Sequence, residues 1–231
     1  MSTLLPVSSQ SAMRRIDAKL LEATERDDIV SMTKALSHGA DPLAHDEWGN
    51  SALSHAANEA LLDALSLQLP HVSLTHPQER LGRVALPVWA AQEGRSDVLR
   101  LILHRRDLNQ KCSAGWTPLM WAAHNGHAQC VSLLLPVSNR FEADGQGRNA
   151  LMLAAYSGKS ACAELLVDDL CAALVDNEGL TASALAERHG HVDTARRIAA
   201  MLDEPAAQPA AASAAEPLRT RPLSSCASLA Q

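Results

Sequence analysis

The sequence has no basic stripe. Its 26 acidic residues outnumber its 20 basic residues, the formal net charge is -6 at pH 7, and the basic residues are scattered among acids. A negative charge of this size repels a phosphate backbone, so nucleic-acid binding would require a local basic patch. We therefore expect no nucleic-acid partner.

Closely paired cysteines are also missing. The cysteines stand at positions 112, 130, 162, 171 and 226. Their number is odd, and their spacing matches neither a zinc ligand set nor a disulfide framework. Such a pattern is typical of a reducing compartment. We predict no metal site, no cofactor and a cytoplasmic location.

No long apolar segment is present. Residues 1–11 are polar and rich in Ser, without the apolar core of a signal peptide, and no later segment approaches the length of a membrane span. We expect a soluble protein with no membrane partner and a flexible leader at 1–15. The alternative is an export leader of the kind that some bacterial effectors carry, which would make the chain a secreted effector that binds a host protein.

What the chain does contain is a repeated apolar signature that ends in an Ala-Ala pair. The clearest copy, Thr-Pro-Leu-Met-Trp-Ala-Ala, occupies residues 117–123. The second Ala stands at Ala57, Ala91, Ala123 and Ala155, with Glu187 in a degenerate fifth copy, so the steps are 34, 32, 32 and 32 residues. A period near 33 with this signature resembles the ankyrin repeat, in which each unit is a helix pair and a turn.

The resemblance implies an all-α fold, an ankyrin-repeat solenoid of stacked helix-turn-helix units joined by short turns or β-hairpins. The array is expected at 16–202, followed by an Ala-, Pro- and Ser-rich segment at 203–231 that cannot bury enough apolar surface to become ordered. The six units are expected at about 16–48, 49–81, 82–114, 115–146, 147–178 and 179–202.

Several positions have structural roles in this pattern. Thr117 should cap a helix with Pro118 in its first turn, and Gly39 should close a helix in the left-handed conformation. His127 and His191 follow the Gly that separates the two helices of a unit, a structural position in the family. Unit two lacks this Gly-His step, so its turn stays undetermined.

The sequence also departs from the family. The His that usually follows Thr-Pro-Leu, and that links neighbouring units by hydrogen bonds, is replaced. We therefore expect apolar stacking to hold the array, with weaker cooperativity at units two and three. The residues at this position are Ser54, Val88, Met120 and Met152.

The cysteines and histidines invite hypotheses about chemistry. Cys130 and Cys162 occupy the same place in successive second helices, whose axes should lie about 8 to 10 Å apart. That separation is too large for a ready disulfide, so both are interpreted as small buried spacers. A Cys112–His124 pair can be imagined, but no orienting residue or oxyanion motif accompanies it. We predict no catalytic residues and no enzymatic activity.

The tryptophans fall into two groups. Trp89 and Trp121 each precede an Ala-Ala pair, where a side chain usually packs between helices; an aromatic binding ladder is the alternative. Trp48 and Trp116 each stand beside the Gly of a turn tip, where a large ring has little core to join. We therefore expect these two to be exposed anchors for a partner.

In proteins with this fold the partner usually lies across the concave face, which the turn tips and inner helices form. The Gly of each turn and the Ala-Ala pair of each unit locate the positions of that face in this sequence. These positions hold a mixture of Trp, Tyr, Arg and amide side chains, which resembles a protein-binding surface. The predicted partner-binding residues are Trp48, Asn50, Asn58, Glu59, Gln92, Glu93, Trp116, His124, Asn125, Arg148, Tyr156, Ser157 and Arg188.

The sequence thus predicts a monomeric, non-catalytic adaptor that binds another protein. The alternative is a regulatory or inhibitory subunit of an enzyme, with the tail as a tether. In that tail, residues 219–224 place basic residues upstream of a Ser, as kinases of basic specificity prefer.

Overall fold

Antiparallel helix pairs form the part of the chain that the structure describes. The computed structural model describes residues 14–73, 77–78, 84–105 and 108–203. The predicted leader up to residue 13 and the predicted tail beyond residue 203, with its kinase-type motif, lie outside these residues.

The inner helices are α1 (Arg15–Glu25), α3 (Ala52–Asn58), α5 (Leu86–Gln92), α7 (Pro118–Asn125), α9 (Ala150–Tyr156) and α12 (Ala182–Arg188). The outer helices are α2 (Ile29–Ser37), α4 (Leu62–Gln68), α6 (Ser96–Ile102), α8 (Ala128–Leu134), α10 (Ser160–Leu166) and α13 (Val192–Asp203). A 3-10 turn (Leu69–His71), two antiparallel strands, β1 (Pro77–Gln78) and β2 (Val84–Ala85), and a short helix α11 (Asp169–Ala173) lie in the connections. Each inner helix packs on its outer partner and, except at the joint between α3 and α5, on the neighbouring inner helices, which confirms the predicted all-α solenoid.

The first helix begins slightly before the predicted boundary of the array. α1 starts at Arg15, and the guanidinium of Arg14 donates to the carboxylate of Asp17 at 2.8 Å. Arg14 also donates to the backbone oxygen of Gly39 at 3.1 Å. Arg14 and Arg15 therefore belong to the first unit rather than to the leader.

The paired alanines lie where inner helices meet. Their methyl groups are fully buried, so the helix backbones approach closely without leaving a gap. Aliphatic side chains of the outer helices, such as Val98, Leu99 and Val131, close the other side of the core. The buried alanines are Ala56, Ala57, Ala90, Ala91, Ala122, Ala123, Ala154 and Ala155.

Side-chain caps begin four of the six inner helices, among them the cap that the sequence predicts at Thr117. Thr117 accepts a hydrogen bond from the backbone N–H of Met120 at 3.3 Å, and Pro118 occupies the first turn. Ser51, Asn149 and Thr181 cap the equivalent helices in their units.

Left-handed residues turn the chain between the helices. Gly39 has φ +82°, as predicted, and Gly94 has φ +73°. In unit two, where the sequence left the turn undetermined, Ala60 takes the left-handed conformation with φ 61°. For a residue with a Cβ this conformation costs about 1 kcal/mol.

Hydrogen bonds connect neighbouring units in addition to the apolar stacking that the sequence predicts. Nε2 of His127 lies 2.9 Å from the backbone oxygen of Gln92 in the preceding unit. The side chain of Asn125 donates to the same oxygen at 2.8 Å. At the turn tips, the backbone N–H of Asn177 donates to the oxygen of Gln146 at 3.0 Å. These bonds join unit three to unit four and unit five to unit six.

Units two and three are joined differently from their neighbours. Within the described residues, α3 and α5 pack less closely on one another than any other two consecutive inner helices do. Arg105 connects the two units: its guanidinium donates to the backbone oxygens of Leu69 at 3.0 Å and Val72 at 2.9 Å. Weaker cooperativity at this joint stays a prediction.

The buried cysteines are spacers, as predicted. Cys130 and Cys162 are fully buried and unpaired, and burial raises the pKa of each thiol to about 11. Cys171 on α11 is also buried, and burial with the nearby Asp168 raises its pKa to about 12. Thiols with such pKa values stay protonated and unreactive at neutral pH.

The packing of His127 against Gly94 yields a stability prediction. A Cβ at Gly94 would lie 2.6 Å from Nδ1 of His127, whereas a Cβ at Gly190, with a similar φ of +80°, meets nothing within 4 Å. Gly190→Ala should lower the free energy of unfolding by about 1 kcal/mol through its backbone conformation. Gly94→Ala should cost about 1 to 3 kcal/mol more because the pinned ring must move.

Urea unfolding followed by circular dichroism measures both variants. Equal losses in the two would show that the His127 ring moves aside freely and does not hold units three and four together.

Candidate functional site

Carboxylates organise the turn tips, each of which we count with the unit whose inner helix follows it. Oδ1 of Asp144 accepts hydrogen bonds from the backbone N–H groups of Gln146 and Arg148, both at 2.9 Å. Asp46 and Asp176 do the same in their own tips. This local bonding holds each tip in one conformation.

The tip of unit four differs because Cys112 stands where the other tips have Asp. Its backbone closes the same turn: Cys112 N–H donates to Trp116 O and Gly115 N–H donates to Cys112 O, both at 2.9 Å. A thiol is a weak acceptor and cannot replace the carboxylate bonds. Its sulfur instead lies 3.5 Å from Nε1 of Trp121, which donates to it.

The second oxygen of Asp144 connects units four and five. Oδ2 accepts from Nε1 of Trp116 at 3.1 Å, from Nε of Arg148 at 3.0 Å and from Nη2 of Arg148 at 2.8 Å. The side chains of Asp144 and Arg148 are only 2% and 15% exposed. With two further bonds at Oδ1, the carboxylate is saturated.

This environment changes the titration of Asp144. Burial alone would raise its pKa, but the hydrogen bonds from the Arg148 side chain and from the backbone of Arg148 and Gln146 outweigh burial. The net result is a pKa below the usual value for an Asp. The ionised carboxylate therefore stabilises the folded protein.

Five aromatic rings from units four to six form one row, which we name the ring cluster: Trp116, Trp121, His124, Tyr156 and His189. The centroid of Trp116 lies 4.6 Å from that of Trp121 and 5.1 Å from that of His124. His124 lies 6.4 Å from Tyr156, and Tyr156 lies 4.2 Å from His189. The row thus spans three consecutive units.

Arg148 lies against the ring cluster. Its guanidinium carbon is 5.9 Å from the centroid of Trp116 and 5.5 Å from that of Tyr156. Both distances allow cation–π attraction. Asp144 and the two rings therefore fix the Arg148 side chain in one position.

The surroundings of His124, at the centre of the row, favour its neutral form. Burial lowers its pKa below the usual value, and the positive charges of Arg148 and Lys159 lower it further. Nδ1 of His124 lies 2.6 Å from the hydroxyl oxygen of Ser157. The imagined Cys112–His124 pair is thus not formed, since Cys112 contacts Trp121 and His124 contacts Ser157.

The structure brings some of the predicted site residues together. Trp116, His124, Arg148, Tyr156 and Ser157 contact one another as described. The prediction that Trp116 is an exposed anchor is wrong: it stands after the tip Gly rather than before it, and its ring is half-buried against the core.

The sequence analysis missed three contributors to this site. Trp121 was interpreted as a packing residue, and Asp144 and His189 were not selected. The Asp at the tip recurs in units two, five and six, and this recurrence was a usable signal for Asp144. Nothing in the period indicated that Trp116 would bond to it.

The remaining predicted residues lie elsewhere. Trp48 is 67% exposed at the tip of unit two, as expected for that residue. The backbone of Gln92 and the side chain of Asn125 join units three and four, and Arg188 forms an ion pair with Glu178. The others, Asn50, Asn58, Glu59 and Glu93, lie in units two and three, outside the ring cluster.

The described part of the chain contains no group of three or more His, Cys, Asp or Glu side chains arranged to hold a metal ion. None of its helices combines the length and the apolar character that a membrane span requires.

Comparison with known proteins agrees with the helix-pair architecture. The family model described as "Ankyrin repeats (3 copies)" matches residues 88–172 and 141–209, which together span more than half of the chain. No curated protein matches the sequence.

Solved structures with the same fold are similar over most of the chain. The ankyrin repeat protein EF0377 is 23% identical with a TM-score of 0.66, over 81% of this chain and 98% of that one. An ankyrin repeat domain from Acinetobacter baumannii AYE, ABAYE2397, is 24% identical with a TM-score of 0.64, over 78% and 96%. The ankyrin repeat domain of Bcl-3, a member of the IkappaB protein family, is 21% identical with a TM-score of 0.64, over 77% and 81%. At these identities the likeness shows the fold.

The saturated carboxylate predicts a pH-dependent stability. Because the pKa of Asp144 is lowered in the folded state, its stabilisation is present above the unfolded value of about 4 and is lost as the pH falls further. Asp144→Asn should lower the free energy of unfolding at pH 7 by about 2 kcal/mol, and the difference from wild type should shrink below about pH 4.

Urea unfolding between neutral and acid pH gives this difference, with Asp176→Asn as the matched tip variant that should show a smaller one. A difference for Asp144→Asn that is constant with pH would contradict the role given to the charge.

Proposed function

The chain belongs to the ankyrin-repeat family, whose members generally mediate protein–protein interaction, and we propose that it binds a partner protein through the ring cluster. The fold is typically a non-catalytic interaction module, and we propose that this chain is one, acting as a monomer.

The observation that carries this proposal is the continuous row of rings with a fixed guanidinium between them. Trp, Tyr and Arg are the residue types that contribute most to protein interfaces. Here they project from consecutive units at positions that ankyrin arrays use for binding. The row also combines ring faces with polar groups, as the centre of an interface does.

The cluster is organised before a partner arrives. Trp116 and Arg148 are held by Asp144, and His124 is held by Ser157. Side chains that are already ordered lose less conformational entropy when they become part of an interface. The predicted residues of units two and three show no comparable network within the described residues, so we place the binding centre in units four to six.

The double variant Trp116→Ala and Tyr156→Ala tests this proposal. It removes two rings from the centre of the row, so it should weaken partner binding by about 2 kcal/mol or more, roughly thirtyfold. Affinity capture with mass spectrometry identifies partners held by wild type, and calorimetry with a purified partner measures the change.

The single variant His189→Ala is a second test in case the double variant misfolds. It removes an exposed ring 4.2 Å from Tyr156 without opening the core. It should also weaken binding, while Trp48→Ala, at an exposed tip outside the cluster, should not. Full partner recovery by the double variant, with helicity intact, would refute the proposal.

A further inference from the structure

Unit one has a groove on the side that faces away from unit two. Thr24 on α1 and Met32 on α2 face unit two, where both contact the amide nitrogen of Gln68. The groove opens on the other side of the same two helices and has a volume of about 500 Å³. In a solenoid this is the side on which the helices of a preceding unit would pack. The floor of the groove is formed by Ile16, Ala23 and Ala35.

Uncompensated positive charge is concentrated in one half of this groove. The guanidinium of Arg14 donates to the backbone oxygen of Gly39 at 3.1 Å, so the start of α1 lies beside the end of α2. The side chains of Arg15, Lys19 and Lys34 line the groove in this half and are exposed. Within the described residues, none of these three side chains forms an ion pair or a side-chain hydrogen bond. We name them the cationic half of the groove.

The carboxylates that line the groove lie in its other half and are already bonded. Oε1 of Glu22 pairs with Nη2 of Arg26 at 2.7 Å. Asp28 caps α2, and its Oδ1 accepts from the backbone N–H of Ser31 at 3.1 Å. The lining therefore has four Lys and Arg side chains against two carboxylates. A cationic partner would meet like charge here, whereas a carboxylate would meet opposite charge.

The position of the groove favours a helix as its occupant. Inner helices of successive units run in the same direction, because each begins after a turn tip. A helix that continues the stack beside α1 would therefore have its first turn at the cationic half. Acidic residues are favoured in the first turn of a helix, since the free N–H groups and the helix dipole stabilise negative charge there.

The chain's own terminal segments do not supply this charge. Residues 1–13 lead directly into the cationic half, but they contain no acidic residue. Residues 204–231 follow the last unit, at the opposite end of the array, and their two acids are balanced by two arginines. These four residues are Glu204, Glu216, Arg219 and Arg221. Charge therefore favours a partner protein over either segment.

We propose that this groove is a second binding surface, which takes an amphipathic α-helix of a partner protein with carboxylates in its first turn. The helix lies along α1, with its apolar side chains over the groove floor and its carboxylates near Arg15, Lys19 and Lys34. The groove belongs to unit one and the ring cluster to units four to six, so this inference does not depend on the proposed function.

NMR of the isotope-labelled full chain with three peptides tests the proposal. Each peptide is an amphipathic Ala- and Leu-containing helix of about 18 residues, long enough to be helical in water. The peptides differ only in three first-turn residues, which are Glu, Gln or Lys. The Glu peptide should shift the backbone amide signals of α1 and α2 and bind at least about tenfold more tightly than the Lys peptide, with the Gln peptide between them. Rising salt should weaken the Glu complex.

Matched variants locate the binding. Lys19→Gln and Lys34→Gln should each weaken the Glu complex about threefold and reduce its salt dependence, while Arg100→Gln, which removes an exposed charge from α6, should leave it unchanged. Ser31→Trp fills the groove without changing its charge and should also weaken the complex. Thr33→Trp, at an exposed position of α2 outside the groove, should not.

Several results would overturn the inference. Equal binding of the Lys peptide rejects the charge argument, and unshifted signals of α1 and α2 with the Glu peptide in large excess reject the site. An affinity that rises when 204–231 is deleted identifies the chain's own segment as the occupant. Dimerisation in sedimentation equilibrium that Lys19→Gln abolishes identifies a second copy of the chain. Signals that shift only on α7, α9 and α12 assign the helix to the ring cluster, in which case the proposed function stands and this inference fails.

Discussion

The close approach of neighbouring inner helices depends on pairs of alanines whose methyl groups are fully buried. A larger side chain at Ala122, Ala123, Ala154 or Ala155 would force two units apart, because a packed core has no space to absorb it. The distances between rings on α7, α9 and α12 follow from this contact. The spacing of the ring cluster is therefore set by buried alanines that do not belong to the cluster.

A second constraint acts at the turn tips, where one carboxylate belongs to two units. Asp144 orders its own tip through backbone bonds and holds Trp116 of the preceding unit through a side-chain bond. Arg148 and Trp116 donate to the same oxygen of Asp144. The charge of this carboxylate, the conformation of the tip and the orientation of the Trp116 ring are therefore coupled. The ring cluster therefore belongs to the joint between units rather than to any single one.

Much of this fold could be predicted from the sequence, because a solenoid repeats local rules. The period predicts where the helices lie, Thr117 predicts the start of a helix, and Gly39 predicts the end of one. The unusual elements could not be predicted: Ala60 adopts a left-handed conformation that its residue type disfavours, and tertiary packing decides that choice.

The site was predicted in part for a similar reason. A period assigns Tyr156 and His124 to one face, since both follow from their offset to the Ala-Ala pair. It does not say that Trp116 turns inward, because that depends on Asp144, which stands 28 residues later. Contacts between units arise from side-chain direction and charge, neither of which the spacing of residues encodes.

Cys112 makes unit four depend on the unit that follows it. Because the tip of unit four has a thiol where its counterparts have a carboxylate, Trp116 depends on the acid of the following unit. A fragment that stops after unit four would keep Trp121 with its partner Cys112, but Trp116 would lose Asp144, the group that holds its ring. A segment that keeps the whole ring cluster must therefore extend from unit four to unit six, because Trp116 is held by a residue on its C-terminal side.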